Sequence, residues 1–507
     1  MRTGQTDENR KMLARRNALT TVANQIVTVV CGILVPRMLI GAFGSVLYGA
    51  AASISQFLSY ISLMESGIGR AARSALFRPL ADGDRSGVSR IYQAMRLFFR
   101  GIAVVFVFYT IILAYFYYDI AKEKTLSREY LFFLVIAISL STVVDYLCGV
   151  SNQTLLHADQ RKYITNITVS IVRILNTLLV LILIRLGSGL ILIKLCSSLL
   201  IIIRPLFLSL YVRRHYRLDK VPRGEACLPQ KWSGMAQHAA YFIHTNTDVI
   251  LLTVFAGLRY VAVYAVYSLV VTSLRNLIYS MMGGMEAELG NIYARGETEI
   301  LHSRYRRYQA IAGLASVAIF GAAAFLIVPF VTLYTKGITD ADYIQPVFAL
   351  IMALGETANC LALPCSTLPI AGNQLRKSQW GSFGEAIVNI GLSLLLVRRS
   401  PLIGVAAGTL AAEIFKLAYY SSYASRHIIH DSLPRTLARH FGVLSGVAAF
   451  GLAAVFLNLT QRIAGFGAWI VYAVGITAIS VCMALIIGSL CYRREMTAWL
   501  KRLKEAG

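Results

Sequence analysis

The chain has 507 residues, of which 57% are hydrophobic and only 15% are charged, and its formal net charge is +24. Soluble domains carry about 25% charged residues, so this composition excludes an ordinary soluble protein and favours a membrane protein with many spans. The positive charge is better explained by Lys and Arg retained in cytoplasmic loops than by nucleic-acid binding.

The first predicted element is a helical hairpin over residues 24–73. Two apolar runs of about twenty residues, each long enough to cross a ~30 Å hydrocarbon layer, lie on either side of the short segment Phe43-Gly44-Ser45. The hairpin also contains two charges, Arg37 and Glu65. Charged residues within a span usually face the protein interior or a water-filled cavity, so both are candidate functional residues.

Apolar runs of similar length continue to residue 491. We therefore predict an all-α polytopic membrane protein with about 14 transmembrane helices. Most of the 49 Lys and Arg lie in alternate loops and in the two tails. The positive-inside rule then places both termini in the cytoplasm, with the spans in a bacterial cytoplasmic membrane.

An internal repeat is visible as three pairs of positions with a constant offset of 213 residues: Gly44 and Gly257, Gly83 and Gly296, Ala158 and Ala371. The repeat predicts two six-helix bundles, 18–211 and 234–422, in the same orientation and related by an axis along the membrane normal. Two extra C-terminal transmembrane helices, 441–491, lie outside the repeat. The remaining predicted segments are a cytoplasmic N-tail (1–17), a cytoplasmic linker (212–233) and an amphipathic cytoplasmic tail (492–507).

Four arginines within predicted spans are candidates for a cationic, water-filled cavity: Arg37, Arg173, Arg204 and Arg275. A charge near mid-helix costs roughly 2.5–3.5 kcal/mol, so each needs a reason to be there. The buried acids look fewer and more dispersed, so we expect the cavity to be net cationic and to bind an anion such as phosphate. The alternative for Arg37 and Lys194 is that they reach the headgroups, and the alternative for Arg173 and Arg275 is structural ion pairing.

Five ionisable groups within spans are candidates for coupling or gating: Glu65, Asp145, His244, Asp248 and Glu356. Their charge depends on proton or cation occupancy, so they could couple transport to H⁺ or Na⁺, and the two ions remain alternatives. A local ion pair with nearby arginines is the alternative for Glu65. Glu413 and Lys416, at positions i and i+3 of one span, are expected to neutralise each other.

The eight cysteines form no CxxC pair and lie mostly in apolar runs, without histidine at zinc-like spacing. We therefore expect small core residues rather than disulfides, and neither a metal ion nor another cofactor. The predicted outer loops are short and hold no paired carboxylates with suitable spacing, so no catalytic residue is expected. This disfavours a membrane glycosyltransferase or polymerase.

Three motifs of the hairpin resemble those of a known family: Pro36-Arg37, Phe43-Gly44-x-x-x-Tyr48-Gly49, and Glu65-Ser66-Gly67-Ile68-Gly69-Arg70. With the layout of the chain, they resemble the Wzx-type flippases, polysaccharide transporters of the multidrug/oligosaccharidyl-lipid/polysaccharide exporter superfamily. The resemblance implies that basic residues of a central cavity hold the pyrophosphate of an undecaprenyl-diphosphate-linked oligosaccharide. It also implies functional roles at the positions of Glu65, Asp248 and Arg275, and a groove for the lipid tail along the final two helices.

We therefore expect a flippase, not an enzyme, that moves an undecaprenyl-diphosphate-linked oligosaccharide from the cytoplasmic to the outer leaflet by alternating access. It would serve O-antigen, capsule or exopolysaccharide biosynthesis. The expected partners are this substrate, membrane lipid, H⁺ or Na⁺, and a polymerase of the same pathway, with no nucleic acid. The alternatives are a cation-coupled multidrug antiporter of the same superfamily and, less favoured by the buried charges, a non-transporting scaffold.

Overall fold

The computed structural model describes residues 7–65, 68–216, 218–219, 235–372, 374–457, 463 and 465–498. Its regular elements are all helical, and no strand occurs in this part of the chain. Eleven helical segments are long and apolar enough to cross a membrane. The prediction of an all-α polytopic membrane protein is confirmed, whereas the number of fourteen spans stays a prediction. Most of the predicted linker and the tail beyond residue 498 lie outside the described residues.

The chain divides into two compact units, Met1–Ala239 and Ala240–Gly507. The helices of unit 1 are α1 (Asp7–Ser59), α2 (Ser62–Glu65), α3 (Ile68–Asp82), α4 (Arg85–Ala121), α5 (Arg128–Val144), α6 (Val150–Ala158), α7 (Lys162–Arg185), α8 (Leu190–Ile201) and α9 (Ile203–His215). A π-helical turn, Asp145–Gly149, joins α5 to α6. Within this unit, α1 packs along α7, and α5 packs against both α4 and α8.

Unit 2 begins within α10 (Met235–Phe255) and continues with α11 (Leu258–Met281), α12 (Met285–Ala294), α13 (Thr298–Ser316), α14 (Ala322–Tyr334), α15 (Pro346–Ala371), α16 (Leu375–Leu396), α17 (Pro401–Ala424), α18 (Leu433–Leu457) and α19 (Phe466–Cys491). Two further π-helical turns, Val317–Gly321 and Ser425–Ile429, follow α13 and α17. Helix α17 packs closely against both α15 and α16. The predicted division into bundles 18–211 and 234–422 stays a prediction.

Helix α1 is interrupted where the sequence predicts the hairpin turn. A straight helix of 53 residues would be ~80 Å long at ~1.5 Å per residue, far more than one hydrocarbon layer requires. Gly44 has φ 77° and ψ 174°, which is not helical. Only glycine adopts this conformation readily, so a single residue divides α1 into two helical parts, residues 7–43 and 45–59.

The glycines that share the 213-residue offset also share backbone conformations. Gly257 has φ 101° and ψ 168°, close to the values at Gly44. Gly83 and Gly296 have φ 70° and 71°. The alanines of the third pair each end a helix, α6 and α15. The repeat seen in the sequence therefore extends to the conformation of the main chain at equivalent turns.

Helices α18 and α19 pack within unit 2. Ser480 Oγ of α19 donates a hydrogen bond to Val317 O at 2.8 Å, and Trp469 Nε1 donates to Leu326 O at 3.2 Å. Val317 opens a π-helical turn, which leaves carbonyls without their usual partners. Gly321 lies where a side chain would approach Ser480 Oγ to 2.6 Å, so the close contact requires glycine.

Replacing Gly257 tests the backbone requirement without a steric clash, because a Cβ there would meet nothing within 4 Å. Strain at such a φ/ψ is worth about 1–3 kcal/mol, so Gly257→Ala is expected to lower the apparent Tm of the detergent-solubilised protein. The matched control is Gly475→Ala within α19, which also has open space and no positive φ. The Tm of Gly475→Ala should equal or exceed that of the wild type. Equal Tm values for Gly257→Ala and Gly475→Ala would contradict backbone strain at position 257.

Candidate functional site

Unit 2 contains a buried cluster of His244, Glu385, Glu413 and Lys416. His244 Nε2 lies 3.2 Å from Glu385 Oε1 and 3.1 Å from Glu413 Oε1. Lys416 Nζ lies 3.2 Å from Glu385 Oε1 and 3.2 Å from Glu413 Oε2. Each of the four side chains is at most 9% exposed. Two cation-capable groups therefore bridge two carboxylates, which is how buried charges become tolerable in a low dielectric.

Close contact between α16 and α17 brings this cluster together. A side chain at Gly404 of α17 would approach the backbone carbon of Leu396 to 2.6 Å, and one at Gly408 would overlap Ser393 of α16. Glycines at these positions let the two helix backbones approach, as small residues do in membrane helix pairs. The approach places Glu385 of α16 beside the carboxylate and ammonium that α17 carries.

The buried face of α16 is polar, whereas its outer face is apolar. The buried residues lie at helical spacing on one face: Ser378, Ser382, Glu385, Asn389 and Ser393. On the other face Ile387 and Leu395 are 71% and 76% exposed. This inverted pattern fits a helix with lipid outside and a polar network inside. It also explains why α16 is not among the eleven apolar segments.

Asp248 of α10 belongs to a second polar group in unit 2. Its Oδ2 accepts hydrogen bonds from Thr409 Oγ1 at 2.8 Å and from Tyr264 OH at 3.0 Å. Asn389 Nδ2 donates to Thr409 Oγ1 at 2.8 Å. Asp248 Oδ1 and Asn389 Oδ1 are both buried and have no hydrogen-bond partner among the described residues. Two buried oxygens are thus available to a proton or a small cation.

Arg275 of α11 pairs with Glu356 of α15 at 3.0 Å. Asn359 Nδ2 donates to Glu356 Oε2 at 3.3 Å, and Lys416 Nζ donates to Asn359 Oδ1 at 3.1 Å. This pair is therefore connected to the cluster around Lys416 by one amide side chain. Arg275 and Glu356, both candidates from the sequence, thus contact each other, and the Arg275 guanidinium already has a carboxylate partner.

In unit 1, Arg204 of α9 pairs with Asp145 at 2.5 Å. Asp145 is the first residue of the π-helical turn, and such turns often occur at functional sites. A side chain at Gly149 would overlap the Asp145 carboxylate and approach Pro205 Cβ to 3.0 Å, so glycine is needed for this packing. Asp145 Oδ1 and Arg204 Nε remain without hydrogen-bond partners.

Arg173 lies at the end of a row of polar contacts between α1 and α7. Asn166 Nδ2 donates to Thr21 Oγ1 at 3.0 Å, and Ser170 Oγ donates to Asn24 Oδ1 at 3.0 Å. Arg173 then donates to the Thr28 hydroxyl. Among the described residues no carboxylate pairs with this guanidinium, which is half-buried. The one described hydrogen bond of its side chain thus goes to a neutral acceptor, which leaves the charge uncompensated within the described residues.

Two further candidates lie in unit 1. Glu65 accepts a hydrogen bond from Tyr146 OH at 3.1 Å. The alternative of a local ion pair involves Arg70, whose side chain lies outside the described residues. Arg37 is half-buried on α1. Arg37, Arg173 and Arg204 thus belong to one unit and Arg275 to the other, and their role as substrate ligands stays a prediction.

A cavity of about 400 Å³ lies within unit 1. Its lining is rich in hydroxyls, with Ser55, Ser141 and Ser197 from three different helices. Lys194 of α8 also lines it and has no ion pair or hydrogen bond with a described residue. Asn176 Oδ1, on the same lining, is buried without a partner. Lys194 therefore lies on a cavity whose lining combines hydroxyls with apolar side chains, and the headgroup alternative for it stays open.

Two sequence expectations are corrected by these contacts. The expectation that buried acids are few and dispersed is wrong, because unit 2 gathers Glu356, Glu385 and Glu413 into one connected network. The expected pairing of Glu413 with Lys416 is confirmed but incomplete. Glu385 was not among the sequence candidates. The signal that could have found it is the polar stripe along α16, which repeats at helical spacing.

The donor set of His244, Glu385 and Glu413 could hold a metal ion, since their ligand atoms all lie within 4.8 Å of one another. Lys416, however, already places its ammonium beside both carboxylates. A lysine in this position supplies the positive charge that a metal would bring. The expectation of a protein without a metal ion stays a prediction.

The chain matches no family model, and no curated protein sequence matches it. Its fold is similar to that of the lipid II flippase MurJ in an inward closed conformation, with a TM-score of 0.68, 14% identity, and coverage of 95% of this chain and 99% of that chain.

The fold is also similar to that of the MATE multidrug transporter DinF-BH (TM-score 0.60, 15% identity, 85% of this chain and 100% of that chain). A third similar structure is a MOP superfamily transporter from Pyrococcus furiosus, described as having a binding pocket of reverse polarity (TM-score 0.56, 16% identity, 83% and 96%). At these identities the comparisons show that the chain shares the fold of these transporters and flippases.

Lys416→Met tests the buried cluster. Removing one partner of a buried ion pair costs about 3–5 kcal/mol, so we expect a clear fall in the apparent Tm of the solubilised protein. Adding Glu413→Gln should recover part of the loss, because fewer buried negative charges remain. Lys124→Met, at an exposed turn, is the control for losing a lysine. Equal Tm values for Lys416→Met and Lys124→Met would contradict the cluster.

Proposed function

We propose that the protein is a flippase that moves an undecaprenyl-diphosphate-linked oligosaccharide from the cytoplasmic to the outer leaflet of the bacterial cytoplasmic membrane. The mechanism we propose is alternating access, in which the polar head enters a protein cavity and the lipid tail stays in the bilayer. The fold similarity to a lipid II flippase over nearly the whole of both chains supports this proposal. The product would serve surface polysaccharide biosynthesis, with a polymerase of that pathway as a candidate partner.

The observation that carries the proposal is the uncompensated positive charge within unit 1. Lys194 lines a hydroxyl-rich cavity without a described acidic partner, and the one described hydrogen bond of the Arg173 side chain goes to the Thr28 hydroxyl. An unpaired cation in a low-dielectric site costs several kcal/mol, so a bound anion would relieve a real penalty. A diphosphate suits both groups, because Lys and Arg donate strong charge-assisted hydrogen bonds to phosphate oxygens.

Unit 2 has the opposite charge balance and is our candidate for coupling. Among its intramembrane groups, the acids Asp248, Glu356, Glu385 and Glu413 outnumber the cations Arg275 and Lys416. We assign the coupling cation to Asp248, because its Oδ1 and the nearby Asn389 Oδ1 are buried and lack hydrogen-bond partners in the described part of the chain. A proton on the carboxyl group or a Na⁺ ion bound by these oxygens would satisfy them. Glu65, Asp145 and His244 remain candidates for gating.

A cation-coupled multidrug antiporter is the second candidate, and the similarity to DinF-BH favours it. Cationic drugs require buried acids on the substrate path, whereas the unpaired group on the unit 1 cavity is a lysine. Deleting the gene separates the two functions. A flippase deletion should accumulate a lipid-linked glycan on the cytoplasmic leaflet, whereas an antiporter should confer drug resistance when overexpressed and leave surface glycan unchanged when deleted.

Neutralising the two cations of unit 1 tests the substrate site. In proteoliposomes carrying a fluorescent undecaprenyl-diphosphate-linked sugar, Lys194→Gln and Arg173→Gln should each reduce the flipping rate by roughly 10- to 100-fold. A charged hydrogen bond worth about 1.5–3 kcal/mol would be lost in each variant. Lys124→Gln, which changes an exposed lysine, should keep the wild-type rate. Full activity of both site variants at normal expression would refute the cationic site.

Asp248→Asn tests the coupling assignment with a side chain of the same shape. Asparagine can still accept hydrogen bonds from Thr409 and Tyr264, but it neither binds a proton in this range nor attracts Na⁺ as a carboxylate does. We expect the wild-type flipping rate to rise with an imposed H⁺ or Na⁺ gradient and the rate of the variant to be independent of both. A variant that responds to the same gradient as the wild type would exclude Asp248 from coupling.

A further inference from the structure

A second polar cavity lies within unit 1, separate from the one that Lys194 lines. Its volume is about 320 Å³, and its walls come from the first turns of α4, the start of α6 and the end of α9. Arg96 and Arg100 of α4 and Arg213 of α9 all line it. None of the residues assigned to transport above contributes to this lining.

The three arginines give this cavity an excess of positive charge. Asp219 is the one acid on its lining, and no carboxylate among the described residues forms an ion pair with any of the three guanidiniums. Three guanidiniums that line one small cavity repel one another unless an anion lies between them. Their planar donor groups match the oxygens of a phosphate.

The walls of the cavity are already fixed by other hydrogen bonds. Tyr92 OH donates to Asn152 Oδ1 at 2.7 Å, and the backbone N–H of Asp219 donates to Ser89 Oγ at 3.0 Å. These neutral groups shape the cavity and satisfy one another. The N–H donors of the three guanidiniums take no part in these hydrogen bonds and can bind a ligand. The arrangement is therefore suited to an anion without rearrangement of the cavity walls.

Helix lengths place the cavity at headgroup depth. From Arg100 to the end of α4 at Ala121 the helix rises ~32 Å, and from the start of α5 at Arg128 to Cys148 it rises ~30 Å. From Leu190, where α8 begins, to Arg213 the rise is ~35 Å. All three distances equal about one hydrocarbon layer, so the arginines lie where lipid phosphates lie.

We propose that this cavity binds a phosphate or diphosphate group at the membrane surface through Arg96, Arg100 and Arg213. Basic pockets at the ends of membrane helices are suited to anionic lipid headgroups. A soluble phosphate offers the same oxygens, and the experiment below separates the two sources. The site does not depend on the proposed transport function, because it is built from different residues.

Cys148 reports on occupancy, because its half-buried thiol lies on the same lining. In a full-length variant that keeps Cys148 as its only cysteine, we would compare its reaction with an anionic and a cationic methanethiosulfonate reagent. A cavity of one charge sign concentrates the opposite ion, so the anionic reagent should react about tenfold faster or more at low salt. Arg96→Gln and Arg213→Gln should each reduce this preference. Arg214→Gln, on the neighbouring exposed residue that does not line the cavity, should leave it unchanged.

Protection of Cys148 identifies the source of the phosphate. Slower labelling in nanodiscs of phosphatidylglycerol than in nanodiscs of phosphatidylcholine supports a lipid headgroup. Protection by inorganic pyrophosphate in phosphatidylcholine nanodiscs supports a soluble ligand. Either protection must disappear in Arg213→Gln. Absence of both protections, or equal protection in Arg213→Gln and Arg214→Gln, would overturn the proposal.

A measurement on the single-cysteine variant with all three arginines intact covers the case in which an arginine variant does not fold. The preference of Cys148 for the anionic reagent should then be measured against ionic strength. Salt screens an exposed cationic cavity, so the preference should fall as ionic strength rises. Equal reaction rates of the two reagents at low salt would also overturn the proposal.

Discussion

A charge in a membrane interior needs a counter-charge or water, and this requirement organises both units of the protein. In unit 2 it produces a network in which Lys416 lies 3.2 Å from two carboxylates and an asparagine continues the chain of contacts to Arg275 and Glu356. In unit 1 Arg204 pairs with Asp145, whereas neither Arg173 nor Lys194 forms an ion pair with a described carboxylate. The two units therefore differ in how their intramembrane charges are compensated.

This difference gives a physical reason for assigning different roles to the units. A network in which acids outnumber cations is stabilised when a proton or a cation is added. A set of cations without matched acids is stabilised when an anionic ligand arrives. In the function that we propose, the coupling cation therefore belongs to unit 2 and the diphosphate to unit 1.

Local and periodic features could be predicted from the sequence. The apolar runs predicted an all-helical membrane protein, and the turn at Gly44 follows from a short segment between two runs. The pairing of Glu413 with Lys416 follows from their spacing on one helix. These features depend on neighbouring residues, so composition and periodicity are sufficient to reveal them.

Contacts between helices could not be predicted in the same way. Glu385 meets Lys416 because Gly404 and Gly408 let α16 and α17 approach, and no spacing within one helix encodes that meeting. Asp145 reaches Arg204 from a π-helical turn, which shifts the face on which a side chain points and breaks the regular period. The cavity beside Lys194 depends on side chains from several helices. Such features are set by tertiary packing, to which a single sequence is a weak guide.

The turn glycines bear on how such chains diverge. At Gly257 an added side chain meets no atom within 4 Å, so only the backbone angle forbids it. Lipid-facing positions on the helices accept almost any apolar residue, whereas turn positions such as Gly257 accept only glycine. Descendants of a common ancestor would therefore lose nearly all sequence identity and still keep their turn glycines at fixed separations along the chain. The fold shared with a solved structure at 14% identity along 95% of this chain shows how far side-chain identity can fall while a fold is kept.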